Sequence, residues 1–138
     1  EKVKHFKQRY GELCKVALSV GDFDSADPHL ANYDFIVCTA EKLDSLLRHS
    51  TPWLGQVSTI IVDEVHLLND VSRGPTLEIL LTILRRVLPN VQIVALSATI
   101  GNPQALAEWL GAGLILDNWR PTVLHKGVFF DDKITFEK

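Results

Sequence analysis

Two short stretches of this chain carry residue types suited to phosphate chemistry. Ile60-Ile61-Val62-Asp63-Glu64-Val65-His66 ends an apolar, β-branched run in two carboxylates and an imidazole, and Ser97-Ala98-Thr99 ends a later run in hydroxyls. A buried strand of a parallel sheet reads this way where it delivers side chains to the sheet's carboxyl edge, where open α/β folds keep their sites. A hard cation such as Mg²⁺ is held by one or two carboxylates with water and substrate phosphates. The adjacent carboxylate can orient or deprotonate the water that attacks a γ-phosphate. Consecutive strand residues point to opposite faces, so Asp63 and Glu64 reach one site only if the backbone turns at the strand's end. A lone Asp-Glu pair is by default two solvated acids; the Ile-Ile-Val run before it and His66 after it weigh toward chemistry. Hydroxyl residues commonly end strands, and Ser97-Ala98-Thr99 gains meaning from its position. Its strand follows the Asp63-Glu64 strand and one crossover helix, which makes the two ends neighbours and sets a hydroxyl beside His66. No Gly-x-x-x-x-Gly-Lys-Ser/Thr phosphate loop occurs in the 138 residues.

The elements that must position these residues alternate between strand-like and helix-like patterns. Val3 and Phe6 are spaced for one face of a helix in the basic segment Glu1 to Arg9. Val16 to Val20 reads as a strand stopping at Gly21-Asp22, and Asp34 to Cys38 as a second strand. Thr39 has the chemistry of a helix N-cap, with Leu43, Leu46 and Leu47 as the apolar stripe behind it. Its helix start, Thr39-Ala40-Glu41-Lys42, offers free N–H groups that suit a phosphate, although a plain cap explains it equally. Val57 to Val62 is the most hydrophobic strand. Pro75 opens a helix over Thr76 to Leu88, Val91 to Leu96 is another strand, and Pro103 starts a helix that Gly111 to Gly113 closes. Leu114 to Leu116 reads as a short strand. Strands separated by helices imply βαβ crossovers and a parallel sheet. The expected architecture is therefore α/β, a three-layer parallel sheet with helices on both faces. Residues 1–120 would form this unit, and residues 121–138 an edge strand or linker.

Composition narrows the class. Hydrophobic content of 46% with 22% charged residues is ordinary for a globular domain. No apolar run approaches the roughly 20 residues of a membrane span, so no membrane partner is expected. Cys14 and Cys38 lack the spacing of zinc or redox pairs and read as buried thiols. A net charge of −3 argues against a dedicated nucleic-acid module but allows contact with a few phosphates along one edge.

Taken together the motifs resemble the first RecA-like motor domain of a Ski2-like superfamily 2 helicase, nearest to the archaeal DNA-repair helicases related to the human HelQ protein. Asp63-Glu64-Val65-His66 resembles the Asp-Glu-x-His box and Ser97-Ala98-Thr99 the following Ser-Ala-Thr motif. Cys38 to Arg48 is similar to motif Ib, and Ser19-Val20-Gly21-Asp22 to the Thr-Gly-Asp turn. Arg73-Gly74-Pro75-Thr76-Leu77-Glu78 is similar to the Arg-Gly-x-x-x-Glu stretch, and Trp119-Arg120-Pro121 to the exit toward a second motor domain.

The resemblance implies a P-loop NTPase-type fold and roles residue by residue. Asp63 would bind Mg²⁺ through water, and Glu64 would position the hydrolytic water. His66, Ser97 and Thr99 would couple nucleotide state to strand movement. Gly21, Asp22, Thr39, Glu41 and Lys42 would lie along a nucleic-acid backbone. ATP and Mg²⁺ are the implied cofactors of an intact parent protein, and the 138 residues alone are expected to be inactive. The phosphate-loop segment would precede Glu1 and the second RecA-like domain would follow Lys138. The implied substrate is single-stranded or forked DNA, with 3′→5′ polarity, in a cytoplasmic, nucleoid-associated or nuclear setting. A Ski2-like RNA helicase shares every motif. A flavodoxin-like or receiver-like Mg²⁺-binding domain would need a strand ending in Lys, which is missing here. A catalytically dead interaction module would need the native chain to be this short.

Overall fold

The apolar runs become strands, each of four residues. β1 (Val16–Ser19) and β2 (Phe35–Cys38) pair in parallel, with Val16 opposite Phe35 and Ser19 opposite Cys38. β3 (Thr59–Val62) and β4 (Gln92–Ala95) pair in parallel, with Thr59 opposite Gln92 and Val62 opposite Ala95. In this computed structural model the described residues are 2–21, 26–98, 100–117, 119, 121–123 and 125–136. They fall into two units, Glu1–Ile100 and Gly101–Lys138. The division comes ahead of the change of character expected after Trp119-Arg120-Pro121, and Arg120 lies outside the described residues.

Three helices build the rest of the first unit: α1 (Lys2–Tyr10), α2 (Ala40–Arg48) and α3 (Gly74–Val87). α1 buries no residue fully and is held by aromatic contact, the Phe6 ring lying 4.8 Å from that of Phe35. α2 starts as its sequence dictates. Thr39 Oγ1 accepts the Lys42 N–H at 3.2 Å, satisfying one of the helix's free donors. Its buried side packs with Ala17, Leu30, Trp53 and Leu54 into the core, of which Leu46 is the most enclosed member. The stripe Leu77, Leu80, Leu81 and Leu84 of α3 is buried, and the 3₁₀ turn Val65–Asn69 packs against that helix. Burying a leucine fully contributes about 1.5–3 kcal/mol, so these two clusters dominate the unit's stability. Gly74 is required where it stands, because a Cβ there would collide with the Leu68 carbonyl.

The three-layer sheet expected from the alternation is present only in part. Parallel pairing is found, but among the described residues the strands form separate two-stranded ladders, and none joins β2 to β3. Short strands leave little pairing length, and Leu18 and Ile61 each stay 53% exposed, where strands of a parallel sheet are normally covered on both faces. The crossover from β1 to β2 contains a 3₁₀ turn, Pro28–Asn32, and no α-helix is described there.

The second unit holds α4 (Pro103–Leu110), closed by Gly111 at φ 63°, and an antiparallel hairpin, β5 (Gly127–Phe130) with β6 (Lys133–Phe136). Asp131 and Asp132 turn the hairpin at φ 49° and 53°, the left-handed geometry that matches strand twist. The strand expected at Leu114–Leu116 is not formed; Ile115 and Leu116 are exposed and the segment is irregular. Among the described residues no helix is long and apolar enough to cross a membrane.

Candidate active site and nucleic-acid interface

The β3–β4 ladder continues past both strands and brings the two polar ends together. Leu96 N–H donates to the Val62 carbonyl at 2.8 Å, and Val65 N–H donates to the Leu96 carbonyl at 2.9 Å. Between them Glu64 adopts φ 58°, ψ 40°, a left-handed conformation uncommon for a residue with a side chain. The backbone thus turns directly after Asp63, at the end of β3.

His66 is the centre of the arrangement. Its Nε2 lies 3.2 Å from Glu64 Oε2, and its Nδ1 lies 3.3 Å from Ser97 Oγ. The imidazole thus bridges a carboxylate on the β3 end and a hydroxyl on the β4 end. The Glu64 carboxylate keeps 54% of its side chain exposed, open to water or a ligand. Asp63 Oδ1 accepts the Glu64 N–H at 3.0 Å, and its Oδ2 is paired with the ammonium of Lys2. Among the described residues no group of three or more His, Cys, Asp or Glu assembles to hold a metal. An ion at Asp63 would therefore rely on water and phosphate oxygens, as Mg²⁺ commonly does. Thr99 lies outside the described residues.

The second group of candidates sits at the ends of β1 and β2. Gly21 is exposed at φ 85°, a conformation glycine adopts without strain. Thr39 and Glu41 are exposed at the start of α2, and Asp22 lies outside the described residues. Lys42 departs from expectation. It is 1% exposed, its ammonium 2.8 Å from Asp27 Oδ2, so it faces the interior rather than a nucleic-acid backbone. The helical register explains this, since Lys42 and the buried Ser45 and Leu46 share one side of α2. Ser19 Oγ donates to the same Asp27 oxygen at 3.2 Å, and Asp27 itself stands at φ 41°. Beside this pair the Cys38 thiol is pushed up to about 11, mainly by burial, with the Lys42 charge pulling the other way. Cys14 and Cys38 are half-buried free thiols.

Asp27 and Lys2 carried no signal in the sequence. Asp27 precedes Pro28 and reads as a turn residue, and nothing local ties it to position 42.

Residues 1–106 match the family described as DEAD/DEAH box helicase. The chain is 54% identical over 99% of its length to an ATP-dependent DNA helicase Hel308 of Methanocaldococcus jannaschii, covering 11% of that protein. It is 53% identical over 90% of its length to the Hel308 of Methanocella arvoryzae, covering 17% of it. It is 49% identical over 99% of its length to that of Pyrococcus horikoshii, covering 19%. The chain thus spans between 11% and 19% of the length of these relatives. With the family match running through both the Asp63-Glu64-Val65-His66 and Ser97-Ala98-Thr99 segments, the chain belongs to the DEAD/DEAH box helicases.

Proposed function

We propose that this chain is the section of an ATP-dependent DNA helicase that reads nucleotide state and transmits it toward the nucleic acid. The observation that carries the reading is the imidazole bridge from Glu64 at 3.2 Å to Ser97 at 3.3 Å. A hydrolytic carboxylate and a hydroxyl on the next strand share one side chain, so a change at either is felt at the other. Glu64 would orient the attacking water, Asp63 would be the residue to hold Mg²⁺, and His66 with Ser97 and Thr99 would pass the change onward. When bound, Mg²⁺ would neutralise charge developing on the phosphates. In the intact protein the two parallel ladders would join one sheet with helices on both faces, completed by the phosphate-loop strand. Gly21, Asp22, Thr39 and Glu41 form the nucleic-acid-facing set. DNA is favoured over RNA because the similar proteins bear the name DNA helicase.

The test is Glu64→Gln in the full-length protein. Glutamine keeps the size and hydrogen-bonding reach but removes the base, while ground-state nucleotide binding rests on the phosphate loop and the metal. DNA-stimulated ATP turnover should fall by roughly 10² or more with ATP affinity retained. Turnover near wild type would remove Glu64 from the site.

A further inference from the structure

Among the described residues of the first unit Lys42 is the most deeply enclosed charge, and neither it nor its partner Asp27 does the work proposed above. Lys42 is tied at both ends. Its backbone N–H donates to Thr39 Oγ1 at 3.2 Å, and its ammonium meets Asp27 Oδ2 at 2.8 Å. Asp27 in turn accepts from Ser19 Oγ at 3.2 Å, on the last residue of β1. Ser19 stands opposite Cys38 in the ladder, and Cys38 is followed directly by Thr39. One buried cation therefore connects the end of β1, the left-handed Asp27 and the start of α2. A buried ion pair adds little stability over a well-packed apolar pair, and its best-attested use is to fix one arrangement of the chain.

We infer that Lys42 is a positioning residue that, through Asp27, holds the β1 end bearing Gly21 and the α2 start bearing Thr39 and Glu41 as one nucleic-acid-facing surface. This inference rests on the nucleic-acid reading of that surface. It makes Lys42 and Asp27 equivalent: removing either charge releases the same contact, although one residue is a cation and the other an anion. A lysine touching DNA directly would behave otherwise, since only its own removal would cost a phosphate contact.

The experiment measures binding of a fluorescein-labelled single-stranded DNA oligonucleotide to the full-length protein by anisotropy over a salt series. Lys42→Met and Asp27→Asn should each weaken binding by about tenfold, the scale on which residues that do not touch the ligand act on a binding surface. Neither should change the slope of log affinity against log salt. Lys42→Arg, which keeps the pair, should bind nearly as wild type. A slope reduced by about one in Lys42→Met alone would mean a direct phosphate contact and would overturn the inference. Wild-type binding by both single variants, shown folded by cooperative melting, would overturn it as well. Should a single variant not fold, Asp27→Asn with Lys42→Gln leaves no buried charge and decides: weakened binding at unchanged slope supports the inference, wild-type binding overturns it. Thr39→Ala separates the two levels. If it binds as wild type, the surface itself fails and the inference with it. If it is weakened while Lys42→Met and Asp27→Asn are not, only the inference fails.

Discussion

Replacing Asp27 by Asn tests the energetics of the enclosed pair with little change in shape. At the 2.8 Å separation and an effective dielectric of about 20, the Coulomb attraction is about 6 kcal/mol. Much of this offsets the desolvation of an ammonium that is 1% exposed. What the substitution removes is one charged partner of that ammonium, and breaking a buried pair by removing one partner costs about 3–5 kcal/mol. Asn keeps an acceptor for Ser19 Oγ, so the loss should come mainly from Lys42. Urea unfolding of the 138-residue chain reports it, followed by Trp53, which is buried in the same core cluster, in a background of Trp109→Phe and Trp119→Phe. With a urea slope of about 2 kcal/mol/M, the midpoint should fall by roughly 1.5–2.5 M. Asp27→Leu combined with Lys42→Met should recover most of that loss, because the ion pair is then replaced by two apolar side chains. A midpoint for Asp27→Asn within roughly 0.3 M of the parent would refute the reasoning, since Lys42 would then be finding compensation elsewhere.

Three further outcomes are expected. Ser97→Ala with Thr99→Ala in the full-length protein should spare most DNA-stimulated ATPase while sharply reducing strand separation, read by parallel ATPase and unwinding assays. For Cys38 the folded thiol lies at about 11 against 9.0 for a free one. Its raised value means stability is whole below the unfolded value and is lost as pH rises through the folded one, by about 2–3 kcal/mol. Melting temperatures taken between these limits should therefore fall less in Cys38→Ala than in wild type. Asp70 is held below the usual carboxylate range by its hydrogen bond from Ser72 Oγ and by the Arg73 and Ser72 N–H groups. Its contribution is whole above the unfolded value and lost as pH falls through the folded one, so acid melting curves should be shallower in Asp70→Asn.

The polar ends of the apolar runs were legible because strand ends announce themselves in residue type. Ile60-Ile61-Val62 before Asp63 fixes both the strand and the place where it stops, and the parallel β3–β4 ladder then sets Ser97 beside His66. Thr39 was legible as a cap for the same local reason. Lys42 was not, because its type favours the surface and only the helical register with Ser45 and Leu46 turns it inward. Its partner Asp27 lies in a different segment, and long-range pairing leaves no trace in spacing. The Leu114–Leu116 strand failed for the complementary reason: a short apolar run proposes a strand, but a strand needs a neighbour to accept its hydrogen bonds.

The two parallel ladders also bear on how the chain acquires its structure during synthesis. Val16 pairs with Phe35 and Thr59 with Gln92, so each ladder closes over a single crossover. As the chain leaves the ribosome, the β1–β2 pair can be hydrogen-bonded before Thr59 has emerged. The β3–β4 pair must wait for α3 to be made and to fold back, because its partner strand lies beyond that helix. The carboxylates at Asp63 and Glu64 are therefore exposed on the nascent chain well before Ser97 arrives to meet His66, and the site is completed late, by the strand that follows α3.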